Sequence, residues 1–372
     1  MSDYSKGLQG VVAGESKIGL VDGTQGVLAY LGYPIQVLAQ YSTYEETAFL
    51  LLNGRLPKKK ELSAFEEKLK KYRALPSEAL EVIELLPSET HPMEALQTVV
   101  SLLGSFSKVT DLKEKSIELI AQFPTIVAHC WCMKHKKEVT LPHEDLSHAA
   151  NFLYMLHGEE PAPDVARMFD ICLILHAEHS FNASTFTARV VASTLTTLHA
   201  SISAAIGALY GPLHGGANEK VLDMISDVAS EKQVNEWVSE KMDRKEKIMG
   251  MGHRVYKVKD PRSYILEEML KTLSTKLKNM TTYKILKEIE TVVRKEMEKQ
   301  GKDIWPNVDF FSGALYELMG ISRELFTPVF AISRISGWCA HVLEQLEDNR
   351  IYRPACQYVG ARNVAYKPIE TR

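Results

Sequence analysis

Apolar residues in this chain recur with the period of an α-helix and scarcely anywhere with the period of a strand. Leu266, Leu270, Leu273 and Leu277 repeat at four-three-four spacing, and Leu286, Ile289, Val293 and Met297 carry the pattern into the next segment. In ELSAFEEKLKKYRALP the residues Leu62, Phe65, Leu69 and Tyr72 share one face, bounded by Pro57 and Pro76. Such spacing predicts amphipathic helices, each of which must lay its apolar stripe on a neighbour. Strand signals are confined to the N-terminal region, where GLQGVVAGESKIGLVDG and VLAYLGYPI can supply short strands around Gly-rich turns. A mainly α fold with a few short N-terminal β-strands follows.

Length and composition set the domain plan. At 372 residues and 45% hydrophobic side chains, the chain exceeds the usual size of one domain and has ample core material. Residues 188–209 are apolar nearly all round, which predicts one helix through the middle of a large domain. From about residue 220 to 302 Lys and Glu dominate, and after WPNVDF the chain turns apolar again. The reading is a large helical domain of residues 1–217 and 318–372 with a small helical domain, residues 218–317, inserted. With 44 basic against 47 acidic residues and no basic stripe, nucleic acid is not the expected partner. The N-terminal stretch carries no targeting pattern and no segment reads as a membrane span, so a cytoplasmic protein is expected. Five cysteines, an odd number, fit free thiols better than a disulfide framework.

The residues that carry chemistry stand in separate stretches. GPLHGGANEKV sets His214 between Pro-Leu and two glycines, where small residues let a ligand approach an imidazole. GMGHRVYKVKDPR sets His253 after Gly250 and Gly252, followed by Lys257 and Asp260-Pro261-Arg262. WPNVDFFSG puts Asp309 among apolar residues, where desolvation raises a carboxylate's pKa and suits it to act as a base. HAEHSFNASTF brings His176 and His179 to a helical i, i+3 spacing beside Glu178. Each alone also reads as an ordinary turn or buried polar group.

Other patterns lead nowhere. His129, Cys130, Cys132 and His135 in HCWCMKH match no zinc spacing and read as a buried helix; no metal is expected there or at His176 and His179. Gly211 and Gly216 have P-loop spacing without its Lys and Ser, and no GxSxG elbow exists. Arg262, Arg334 and Arg353 sit beside Pro, Ser or small residues, and converging guanidinium forks suit a di- or tricarboxylate.

Taken together, HAEHSFNASTF, GPLHGGANEKV, GMGHRVYKVKDPR, PNVDFFSG, AISRISGWCAHVLEQ and NRIYRPACQYVG resemble, in order, the motifs of the citrate synthase family, in its short dimeric bacterial or archaeal form. The resemblance implies a two-domain helical homodimer closing over a cleft. It implies that Asp309 removes a methyl proton from acetyl-CoA while His214 donates a hydrogen bond to the thioester oxygen, and that His253 protonates the carbonyl oxygen of oxaloacetate. His179, Arg262 and Arg334 would hold oxaloacetate, with Arg353 contributed by the other subunit. Lys257 would meet a CoA phosphate, and Met251 and Gly252 would lie against the adenine. Acetyl-CoA is then a substrate, and no tightly bound cofactor is expected. The chain begins close to the first core motif, so the allostery of the NADH-regulated hexameric members is not expected, and a dimer is the simpler expectation. Alternatives are 2-methylcitrate synthase using propionyl-CoA, a catalytically silent helical interaction protein, and a metalloenzyme built on the His and Cys clusters.

Overall fold

In a computed structural model, residues 4–226 and 228–372 are described, without the side chain of Ala217. Sixteen α-helices follow a small antiparallel sheet among these residues. Strands β1 (Gly19–Asp22), β2 (Val27–Tyr30) and β3 (Tyr33–Pro34) pair in that order, with Gly19 opposite Tyr30 and Ala29 opposite Pro34. The sheet is anchored from within: Leu28 and Tyr30 are buried, and the Tyr30 hydroxyl donates to the Ile174 carbonyl at 3.0 Å.

At the centre runs the helix Phe326–Glu347, buried without interruption from Phe326 to Val342. It packs against helices Tyr44–Asn53, Leu112–Lys134, Pro163–His176, Ala183–Ala192 and Leu198–Tyr210. A helix enclosed on all sides explains why this stretch lacks a polar face. The continuous helix expected over residues 188–209 is in fact two, Ala183–Ala192 and Leu198–Tyr210, packed on each other. Between them lies a run of hydroxyl residues that bond locally: Ser193 Oγ donates to the Val190 carbonyl, and Thr197 caps the second helix by accepting the Ala200 N–H. Leu195 adopts φ +64° and is exposed. Side chains that satisfy nearby backbone groups have ended the helix despite its apolar composition.

The Lys/Glu-rich region forms helices Ala217–Ile225, Val234–Asp243, Pro261–Lys276 and Thr281–Lys299. Leu266, Leu270 and Leu273 are buried, as are Ile285, Leu286, Ile289 and Val293, whereas Leu277 is exposed at the helix end. Lys259 is buried between Glu267 at 2.5 Å and Glu290 at 2.9 Å, tying the start of one helix to the flank of the next. The helix Asp309–Leu318 packs on both Pro261–Lys276 and Ala217–Ile225. No helix among the described residues is long and apolar enough to cross a membrane.

Candidate active site

His214 lies in the turn between Leu198–Tyr210 and Ala217–Ile225. Gly215 donates to the Leu209 carbonyl, and a Cβ there would stand 2.5 Å from that oxygen. The glycine therefore serves the chain's own tight turn, rather than only leaving space for a ligand. His214 Nε2 accepts the backbone N–H of Ser184 at 3.3 Å and lies 2.9 Å from the Ser184 hydroxyl. That N–H leaves the imidazole proton on Nδ1, the nitrogen turned away from Ser184. Burial, helped by the charge of Arg334, lowers the imidazole's pKa to about 4, so it is neutral.

His253 follows Gly252, in a loop clasped to the segment before Asp309. Gly252 donates to the Trp305 carbonyl at 2.7 Å, Asn307 donates to the Gly250 carbonyl at 2.9 Å, and Met251 bridges to Pro306. Two backbone N–H groups, from Val255 and Tyr256, point at His253 Nδ1. Nδ1 is thus an acceptor and the proton sits on Nε2. Burial, then Arg262, brings its pKa to about 4. The His179 ring is 5.6 Å away, centre to centre, and its own pKa is driven far down by burial, with Arg262, His253 and Arg334 adding to it. The helix expected to continue through His179 ends at His176, and His179 stands in the loop before Ala183–Ala192.

Asp309 is the first residue of its helix, and its N–H is held by Asn307 Oδ1 at 2.9 Å. Its Oδ1 is shut off from solvent and has no hydrogen-bond partner among the described residues. Burial raises the carboxyl pKa to about 7, against the pull of Arg262 and Arg334 and with a push from Asp260. A carboxyl poised near neutrality and lacking a hydrogen-bond donor is a base with its basicity intact.

Two arginines set the field of this site. Arg262 is buried in a bidentate pair with Asp260, at 3.0 and 2.7 Å. Arg334 is buried as well; its Nε donates to the His176 carbonyl at 2.6 Å and its guanidinium lies 4.8 Å from the Phe330 ring centre. Among the described residues it forms no ion pair, and burial lowers its pKa to about 10. Its charge acts on His214, His179 and Asp309 together, which ties His214 to the group formed around His253.

The remaining residues singled out in the sequence lie elsewhere in this chain. Lys257 is exposed, its N–H bound to the Gly23 carbonyl at 2.7 Å. Arg353 is exposed, bonded to the Pro354 carbonyl, and borders a separate cavity of about 1030 Å³ lined also by Lys17, Arg189 and Glu344. His129, Cys130 and Cys132 are buried in Leu112–Lys134, and His135 pairs with Glu324. Among the described residues no three His, Cys, Asp or Glu side chains are placed to share a metal ion.

Reasoning from sequence missed Ser184, Tyr256, Asn307 and Trp338. Trp338 Nε1 donates to Ser184 Oγ at 3.1 Å, and the Tyr256 hydroxyl lies 3.2 Å from His179 Nε2. Asn182, which caps Ala183–Ala192 by accepting from Thr185, signals that Ser184 lies in a first helical turn. No local pattern announces the other contacts, which join residues far apart in sequence.

The sequence pattern described as "Citrate synthase, C-terminal domain" matches residues 7–355. Citrate synthase from Deinococcus radiodurans is 46% identical over 378 residues, covering 100% of both chains. The 2-methylcitrate synthase of Shewanella oneidensis is 40% identical over 380 residues, again covering 100% of both. The solved ternary complex of carboxymethyl coenzyme A and oxaloacetate with citrate synthase from Thermoplasma acidophilum superimposes with a TM-score of 0.93 at 30% identity, covering 100% of both chains. The chain belongs to the citrate synthase family, whose members are enzymes of the acyltransferase type.

Proposed function

We propose that the protein condenses acetyl-CoA with oxaloacetate and hydrolyses the resulting citryl-CoA to citrate and CoA. The observation that carries this reading is the grouping, under Arg262 and Arg334, of two neutral histidines and a carboxylate base titrating near pH 7. Asp309 takes a proton from the thioester methyl. His214 donates its Nδ1–H to the thioester oxygen, where negative charge develops; a neutral imidazole can do so without surrendering the proton. The enol carbon attacks the ketone carbon of oxaloacetate, and His253 delivers its Nε2 proton to the ketone oxygen. Water then cleaves the thioester, leaving citrate and free CoA thiol. A thioester methyl is so weak an acid that base and hydrogen-bond donor must act together, shielded from water.

Arg334, a buried cation that forms no ion pair among the described residues and feels the nearby charge of Glu178, suits a substrate carboxylate, and His179 and Arg262 lie within its electrostatic reach. The CoA contacts assigned to Lys257, Met251 and Gly252 belong to the same reading, as does closure of residues 218–317 over the remainder. The assembly is a homodimer in which Arg353 enters the partner's cleft. The exposed C-terminal segment supports a second copy: Tyr358, Val359, Val364, Tyr366 and Ile369 are all more than half exposed. The protein works in the cytoplasm, feeding carbon to the tricarboxylic acid cycle.

Thiol release by purified protein with oxaloacetate, acetyl-CoA and propionyl-CoA in parallel tests the function. Faster release with acetyl-CoA is expected. Preference for propionyl-CoA would make it a 2-methylcitrate synthase, a reading favoured by the Shewanella oneidensis relative. A single methyl group is worth only about 1–3 kcal/mol of discrimination, so slower release with the second thioester is compatible with either. Release with neither would overturn both.

A further inference from the structure

The three rings of His179, His253 and Tyr256 form a closed triangle, with centres 4.7 to 5.7 Å apart. Tyr256 is 4% exposed, and it reaches both histidines by different atoms. Its backbone N–H donates to His253 Nδ1 at 3.1 Å, and its hydroxyl lies 3.2 Å from His179 Nε2. The direction of that second bond follows from counting donors. His179 Nε2 is the hydroxyl's sole hydrogen-bond partner among the described residues. Were His179 to donate from Nε2, the phenolic proton would be left buried with no acceptor, a costly arrangement. The hydroxyl therefore donates, Nε2 accepts, and the His179 proton lies on Nδ1. Burial also raises the phenol's pKa far above the neutral range, so the donor is kept.

We propose that Tyr256 is a positioning residue that fixes the proton on both histidines at once, presenting Nδ1–H of His179 and Nε2–H of His253 to the substrate. The proposal rests on the reading of this cleft as the oxaloacetate site. Both nitrogens that Tyr256 occupies are acceptors, so both that remain are donors. The substrate they suit is one with adjacent oxygen acceptors, as in a 2-oxo acid. Removing the hydroxyl frees neutral His179 to place its proton on either nitrogen.

The substitution Tyr256→Phe keeps the ring and the backbone N–H and deletes the hydroxyl alone. The expected result at pH 8 is a rise in KM for oxaloacetate of about tenfold, the loss typical of one hydrogen bond to a charged group, with KM for acetyl-CoA within twofold. Because burial and the neighbouring arginines keep His179 neutral at pH 6 as at pH 8, the oxaloacetate defect should be the same at both, and long-range ¹⁵N spectra of the variant should show His179 no longer held as Nδ1–H, which a loss of packing alone would not produce. An unchanged KM for oxaloacetate, or a variant in which His179 keeps the Nδ1–H form, overturns the proposal. Long-range ¹⁵N spectra of ¹⁵N-histidine-labelled wild-type protein read the tautomers without any turnover, and so separate this proposal from the functional reading. They should show Nδ1–H at His179 and Nε2–H at His253; Nε2–H at His179 would refute it even in an active enzyme.

Discussion

Asp309 combines two demands that conflict. As a base it must ionise, yet its site favours the neutral acid, with a pKa of about 7. Because the folded pKa is raised above that of an unfolded aspartate, the folded protein keeps a proton that the unfolded chain has lost between roughly pH 4 and 7. Stability from this group therefore falls as pH rises through that window and levels off above it, a cost on the order of 4 kcal/mol at most. Asp309→Asn removes the cost and the base together. Turnover should drop by about 10²- to 10⁴-fold, the usual contribution of a general base, while the melting temperature at pH 8 rises. The gain should narrow on lowering the pH to 5. A variant no more stable than wild type at pH 8 would show that burial does not hold this carboxyl in its acid form. In wild type the acid limb of kcat/KM for acetyl-CoA should fall near pH 7.

At the scale of elements, the cleft depends on three connections rather than on helix interiors: the turn at His214, the loop at His253 and the entry to Asp309–Leu318. Gly250 governs two of them. It sits at φ +77°, and a Cβ there would stand 2.8 to 2.9 Å from Phe310, the neighbour of Asp309. Gly250→Ala costs about 1–2 kcal/mol for a left-handed conformation alone, before the clash pushes the His253 loop and the Asp309 helix apart. Urea unfolding should show a loss larger than that figure, and kcat should fall with it; wild-type kcat would mean the loop and helix can separate without consequence. Helix periodicity made most of these elements legible, and the unusual settings of His214, His253 and Asp309 marked them as candidates. What stayed hidden was whatever depends on atoms meeting across the fold. The hydroxyl run at Ser193–Thr197 looked like part of a helix because its apolar neighbours outweighed it in a periodic pattern. Ser184 and Tyr256 were passed over because an ordinary serine and tyrosine gain their roles only from the histidine each one faces.

For the whole molecule, the proposed dimer makes a demand that no single chain meets. Arg353 stands outside the cleft of its own chain, beside a cavity bordered by Arg189 and Glu344, at the root of a C-terminal segment exposed throughout. A guanidinium there can serve catalysis only by entering another protomer's cleft. His214→Ala and Arg353→Ala proteins should then each lose most turnover in isolation, for different reasons: the first lacks the hydrogen-bond donor to the thioester, the second a substrate contact supplied in trans. Unfolding the two together and refolding the mixture forms heterodimers in which one cleft has lost both groups and the other has both. That second cleft, with intact His214 from one protomer and intact Arg353 from its partner, should restore turnover. If Arg353 served its own protomer, each cleft of the mixed dimer would still lack one group and activity would not return. Isolating the mixed dimer through a different affinity tag on each protomer makes a lack of recovery decisive, since it shows that the two variants met and still failed to build a complete site.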